Sequence, residues 1–201
     1  METLAVIDFE TTGMSPDQGA RPTEIGIVLL RDGAIVDRYQ SLMNPGVRIP
    51  QFIVDLTGIS NAMVRNAPSV GQVMQEAVAF VGHFPLVAHN AAFDSKFWDA
   101  ELQRLGHSRA RPFACSLLLA RRLFPDAPSH SLGNLMRTLR LPAAARYHRA
   151  LADAEAASTL LTCLQDELKR RFAVPHAEHE LLVKVQRVAR AKLDDWMKRN
   201  A

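Results

Sequence analysis

Cysteine is scarce in this chain: there are two among 201 residues, Cys115 and Cys163, both in apolar surroundings. Such scarcity excludes a disulfide-stapled miniature scaffold, and two reduced core thiols are expected instead of a disulfide or metal pair. Long apolar runs are missing too. None approaches the roughly 20 residues that span a bilayer, so no membrane partner is expected. Low-complexity tracts and internal repeats are absent, which sets aside disordered, collagen-like and solenoid chains. No basic stretch opens the sequence, which has an acid at Glu2, so no secretory leader is read and a cytoplasmic location is expected.

What is present is an ordinary globular composition, 48% hydrophobic and 22% charged. The length suits one domain with a sizeable core and a short appendage. The net charge of +3 is small, but its distribution is uneven. Residues 1–95 carry −5, residues 96–149 carry +7 and residues 150–201 carry +1. This asymmetry fits a cation-binding site beside a phosphate-binding surface. It also fits a solvated, arginine-rich surface with no partner.

Leu4 to Phe9 is a short, nearly all-apolar run and reads as a central strand covered on both faces. Glu24–Leu30 and Ile35–Met43 read as two more strands, joined by the hairpin signal Asp32-Gly33. Pro45 and Pro50 then break the chain. Val70–Phe84 has apolar residues at helical spacing. Pro85–Ala88 reads as a buried strand, followed by a helix capped by Asn90 and running to Leu105. Phe113–Cys115 is a last strand. Helices follow over 117–124, 131–139 and 150–172. The order implies a mixed sheet, an antiparallel meander continued through helical crossovers, with helices on its faces. Past Pro175, Leu182, Val185, Ala189, Leu193 and Trp196 recur at three- and four-residue steps. They predict one amphipathic helix of about six turns.

Three segments carry candidate chemistry. In Val6-Ile-Asp8-Phe-Glu10 the strand alternation puts both carboxylates on one face at the strand's end. They repel one another and resist burial there, and a divalent cation removes both objections; a frayed, hydrated strand end would as well. Asp94 follows Phe93 at the start of a helix, where it is either a ligand turned toward the sheet or an ordinary first-turn acid. His148 and Asp153 straddle the start of the long helix and can face a common point, although a loop histidine and a first-turn acid are each common alone.

Together the three segments resemble, in order and spacing, the exonuclease motifs of the DEDDh (DnaQ-like) family of 3′–5′ exonucleases. The first is D-x-E-T-T-G at Asp8, Glu10, Thr11, Thr12 and Gly13. The second is H-N-A-x-F-D from His89 to Asp94, and the third is H-x-x-x-x-D at His148 and Asp153. The resemblance covers residues 3–172. Pro50 to Pro68, with Leu56-Thr-Gly-Ile59 and Met63, is similar to the version in bacterial DNA polymerase III proofreading exonucleases. Ser129-His-Ser-Leu132 also fits the family. Cys115-Ser116-Leu117 departs from it, since many relatives have Asp-Thr-Leu; altered local bonding is expected there, with activity kept.

The resemblance implies a ribonuclease-H-like α/β fold with a mixed five-stranded sheet and an exonuclease domain over 1–173; the C-terminal helical extension over 174–201 matches nothing in the family and rests on its own periodicity. The same resemblance implies that Asp8, Glu10, Asp94 and Asp153 hold two divalent ions, Mg²⁺ or Mn²⁺, with His148 as general base. All-oxygen ligands suit such hard cations. Thr11, Thr12, Gly13 and Asn90 match positions that hold the terminal nucleotide, and Met14 packs against a base. The implied activity is metal-dependent 3′–5′ hydrolysis of DNA, single-stranded or frayed, to nucleoside 5′-monophosphates. RNA-directed relatives (oligoribonucleases and tRNA-end trimmers) share the same residues, and a non-catalytic nucleic-acid-binding scaffold is the reading from another class. Segment 176–201 is offered as a contact for a homodimer or a polymerase partner, or as a brace on its own domain.

Overall fold

A computed structural model describes residues 2–142 and 148–200. Five strands form one sheet in the order β3-β2-β1-β4-β5. β1 (Thr3–Thr11), β2 (Pro22–Arg31) and β3 (Ala34–Leu42) make the antiparallel meander. β4 (Leu86–Ala88) and β5 (Ala114–Cys115) continue it in parallel on the other side of β1. Asp32 (φ 55°) and Gly33 (φ 78°) turn the β2–β3 hairpin, both left-handed as a two-residue type I′ turn requires.

Strand alternation divides the core. Leu4, Val6, Val28 and Leu30 face α7 (Ala150–Phe172) and its neighbours α5 (Ser116–Leu123) and α6 (Leu132–Thr138). Ala5, Ile7, Phe9, Ile25 and Ile27 face α3 (Val70–Val81) and α4 (Ala91–Arg104). β1 and β2 are thus apolar on both faces, as their near-continuous hydrophobic runs predict.

Two expectations need correction. The stretch after Pro45 is not merely a break, because Gln51–Thr57 forms α1 and Asn61–Val64 forms α2. Gly58 (φ 72°) ends the first and the Ser60 hydroxyl caps the second. Ile49, Ile53, Ile59 and Val64 give them a small core of their own. These helices are too short to show periodicity, so only their stop and cap signals were readable.

The C-terminal segment is not a continuous helix. It forms α8 (His179–Val185), a 3₁₀ turn at Arg190–Lys192 and α9 (Leu193–Asn200). The break has tertiary causes. Gln186 accepts from Cys115 N at 2.6 Å and donates to Phe113 O at 3.0 Å, and Arg122 donates to Val188 O at 2.8 Å. Leu182, Val183, Val185, Leu193 and Met197 join the core that α7 forms with the sheet. Of the apolar face expected for a homodimer, Leu182, Val185 and Leu193 are thus buried within the fold, Trp196 is half-buried and Ala189 is exposed. No helix of the described residues is long and apolar enough to cross a membrane.

Candidate active site

The carboxylates gather where β1 ends. Asp8 and Glu10 lie on the α7 face, since Leu4 and Val6 of the same alternation do. β4 stops at Ala88, so the N–H of Phe9 has no strand partner on that side. Asp94, 2% exposed in the first turn of α4, accepts it at 3.1 Å through Oδ1. That bond draws the second motif onto the first. Asn90 occupies the N-cap position of α4 with φ 64°, yet its side chain caps nothing; its carbonyl accepts from Phe93 N at 2.8 Å.

The third motif comes in on α7. Asp153 Oδ2 accepts the His148 N–H at 2.9 Å, and His148 holds the uncommon φ of 62°. Such a backbone costs about 1–3 kcal/mol and persists where its surroundings enforce it. One ligand atom each of Glu10, His148 and Asp153 lie within 4.8 Å of one another.

Electrostatics mark the cluster. Burial, then the neighbouring Asp94, Asp153, Glu10 and Glu24, hold the Asp8 carboxyl well above the usual carboxylate range. Glu10 is pushed up to about 8 by burial and by Asp153, Glu24 and Asp94, with Arg149 opposing. Asp94 rises to about 7 through burial, although the Phe9 N–H bond pulls the other way. Asp153 is raised by burial too. Converging carboxyls that resist ionisation in this way call for a cation. The donor set, four carboxylates at the mouth of a sheet, fits a hard divalent ion.

The other residues expected from the sequence sit around this point. Thr11 Oγ donates to Gly13 O at 2.7 Å. Thr12 is buried and pairs with Arg21 through both its backbone and its hydroxyl, closing the loop 12–21 at its base. A Cβ on Gly13 would stand 3.3 Å from Ala20 Cβ. Met14 projects from that loop, 72% exposed. Ser116, in the segment that departs from the family pattern, is fully buried with its Oγ 3.0 Å from His89 Nδ1. His89 Nε2 lies 3.0 Å from His130 O and must donate there, so Nδ1 accepts from Ser116. Burial pushes this imidazole down to about 4, and it stays neutral.

Comparison with known proteins fits this geometry. The exonuclease family matches residues 5–161. The chain belongs to the DEDDh family of 3′–5′ exonucleases. It is 38% identical over 178 residues to a PolC-type DNA polymerase III of Oceanobacillus iheyensis, covering 88% of this chain and 12% of that protein. A similar PolC-type polymerase of Clostridium perfringens is 38% identical over 173 residues, 86% of this chain and 12% of the relative. The chain thus spans about an eighth of the length of these relatives. Among solved structures, exonuclease X in complex with 5′ overhanging duplex DNA superposes with a TM-score of 0.71 at 26% identity. That match covers 91% of this chain and 99% of the other.

Sequence reasoning missed Glu24 and Arg149. Glu24 lies directly opposite Glu10 across the β1–β2 ladder, is fully buried, and binds Arg149. The available signal was an acid inside the otherwise apolar run Pro22–Leu30.

Proposed function

We propose that this chain hydrolyses DNA from its 3′ end, at single-stranded or frayed termini, and releases nucleoside 5′-monophosphates. The observation that carries this reading is the approach of Glu10, His148 and Asp153 to within 4.8 Å at one strand end, with Asp8 and Asp94 as neighbouring carboxyls that act on one another's charge. Two divalent ions, Mg²⁺ or Mn²⁺, are assigned to the four carboxylates; when bound, such ions acidify water and offset charge on phosphate. The His148 imidazole takes the proton of the attacking water at a ring nitrogen. Asp153 holds that residue through its backbone N–H. Thr11, Thr12, Gly13 and Asn90 are assigned to the terminal nucleotide, with Met14 against its base.

The preference for DNA draws support from the relatives, which are named as DNA polymerases, and from the DNA-bound exonuclease X. Residues 1–173 carry the nuclease in this reading, and 174–201 brace it through the shared core.

The test is a product analysis on 5′-labelled DNA and RNA of matched sequence. Laddering of DNA from the 3′ end with Mg²⁺ or Mn²⁺, stopped by EDTA and absent in Asp8→Ala, is expected. Faster RNA trimming would reverse the substrate assignment. Wild-type rates in Asp8→Ala would overturn the site.

A further inference from the structure

We infer that Glu24 and Arg149 are positioning residues that seat His148 and Asp153 against the carboxylates of β1, an inference that rests on the proposed exonuclease reading. Glu24 pairs with Glu10 in the ladder, and directly opposed residues share a face. It therefore points to the side on which Asp8 and Glu10 converge, and it is fully buried. Its carboxylate is nevertheless fully occupied. Arg149 Nε lies at 3.2 Å from Oε1 and 3.0 Å from Oε2, and an Arg149 terminal nitrogen lies at 2.6 Å from Oε1. Ala150 N reaches Oε2 at 3.1 Å and Gln40 Nε2 reaches Oε1 at 2.9 Å. These donors use the roughly four lone-pair positions of a carboxylate, so Glu24 has none left for a metal ion.

What Glu24 holds instead is the start of α7. Arg149 occupies the N-cap position and offers no side-chain cap of its own. Ala150 supplies the first helical N–H, and Glu24, from a strand 126 residues away, accepts it. A negative charge there also complements the positive end of a 23-residue helix. One residue before this anchor stands His148, and three residues after Ala150 stands Asp153. Gly26, opposite Asp8, completes the seat: a Cβ there would fall 2.2 Å from Leu151 N. β2 contributes nothing to the chemistry, yet its Glu24 and Gly26 fix how close the third motif comes to the first.

The experiment compares wild type, Glu24→Gln, Arg149→Gln, Arg149→Lys and the double Gln variant, with Arg38→Gln as control. Arg38 pairs with Glu155 at 2.6 Å on the exposed side of the same helix. Each is measured for kcat and KM on a DNA oligonucleotide, for Mn²⁺ binding by calorimetry without substrate, and for hydrogen exchange over residues 148–153. Glu24→Gln and Arg149→Gln are expected to lower kcat about 10- to 100-fold with KM within about twofold, and to weaken Mn²⁺ binding over a similar range. Faster exchange at the start of α7 is expected in both. Because the two side chains act as one unit, the double variant should be no worse than the poorer single. Arg149→Lys should fall between, and Arg38→Gln should match wild type.

Folded Glu24→Gln and Arg149→Gln proteins with wild-type kcat and Mn²⁺ binding would overturn the inference, as would losses that simply add. If Glu24→Gln fails to fold, the two Arg149 variants decide, since that side chain is a quarter exposed. Wild-type protein that cleaves neither DNA nor RNA would sink the exonuclease reading alone; metal binding and exchange would still decide the positioning role.

Discussion

A carboxyl at a hydrated strand end ionises near pH 4, whereas Glu10 holds its proton to about 8 and Asp94 to about 7. The cause is place rather than residue type: burial comes first, then the other acids of the cluster. Asp8→Asn removes one of these repelling groups while keeping the side chain's shape. We expect the metal-free variant to melt several degrees above metal-free wild type at pH 8, yet to show no hydrolysis and no gain in melting temperature from Mn²⁺. A thermal scan with and without Mn²⁺ checks this, and a lower metal-free melting point would contradict it. His148→Ala leaves the four carboxylates in place. Its kcat should drop about 10²- to 10⁴-fold, the usual contribution of a general base, with KM for the oligonucleotide little changed. The pairing of Asp8 with Glu10 was legible in the sequence because a strand has period two. Asp94's hold on Phe9 N–H was not, since it depends on β4 ending two residues before Asn90.

At the scale of elements, position is set by close approach and by buried ion pairs. α7 was readable to the residue because its apolar spacing persists over six turns. Its docking was hidden, since Glu24 and Gly26 lie more than 120 positions earlier in the chain. Gly26→Ala would drive a methyl into the backbone at Leu151, where no flexible side chain can yield. A loss of at least about 3 kcal/mol in urea unfolding is expected, at the upper end of what overpacking costs. A second pair works on the loop of the first motif. Arg21 grips the buried Glu101 of α4 through two bonds, at 3.0 and 3.2 Å, and its backbone closes the loop on Thr12. Arg21→Ala leaves Glu101 with Arg104 alone and frees the loop that presents Met14. KM for DNA should rise several-fold, with kcat less affected; an unchanged KM would detach this loop from substrate binding. Where helices are short, as in α1 and α2, or broken by side-chain bonds from elsewhere, as at Gln186, local pattern carried too little information to place them.

For the whole molecule, the uneven charge acquires a structural meaning that the net +3 lacked. The acidic first half holds three of the four converging carboxylates. Much of the basic middle is taken up internally: Arg104 and Arg109 pair with Glu101 and Asp99, Arg122 serves backbone carbonyls, and Arg149 holds Glu24. Arg146 of that stretch lies outside the described residues. The expected phosphate-binding surface therefore has fewer free arginines than the sequence count suggests. Its effect on stability runs opposite to that of ordinary surface acids. Glu10, Asp94, Asp8 and Asp153 all bind protons more tightly folded than unfolded. The folded state thus holds more protons above about pH 4, and stability falls as pH rises toward 8. His89 acts in the other direction on the acid side, because its imidazole is held neutral down to about 4 and favours folding above its unfolded value near 6.5. The carboxyls outnumber this one imidazole, so the metal-free protein should melt progressively lower from about pH 5 to pH 8. Divalent ions replace the lost protons, so saturating Mg²⁺ or Mn²⁺ should flatten that decline and bind more tightly as pH rises, releasing protons into weakly buffered solution. Melting temperatures from pH 5 to 8, in EDTA and in excess metal, read this directly. Parallel curves in the two conditions would mean that the ions do not bind at these carboxylates.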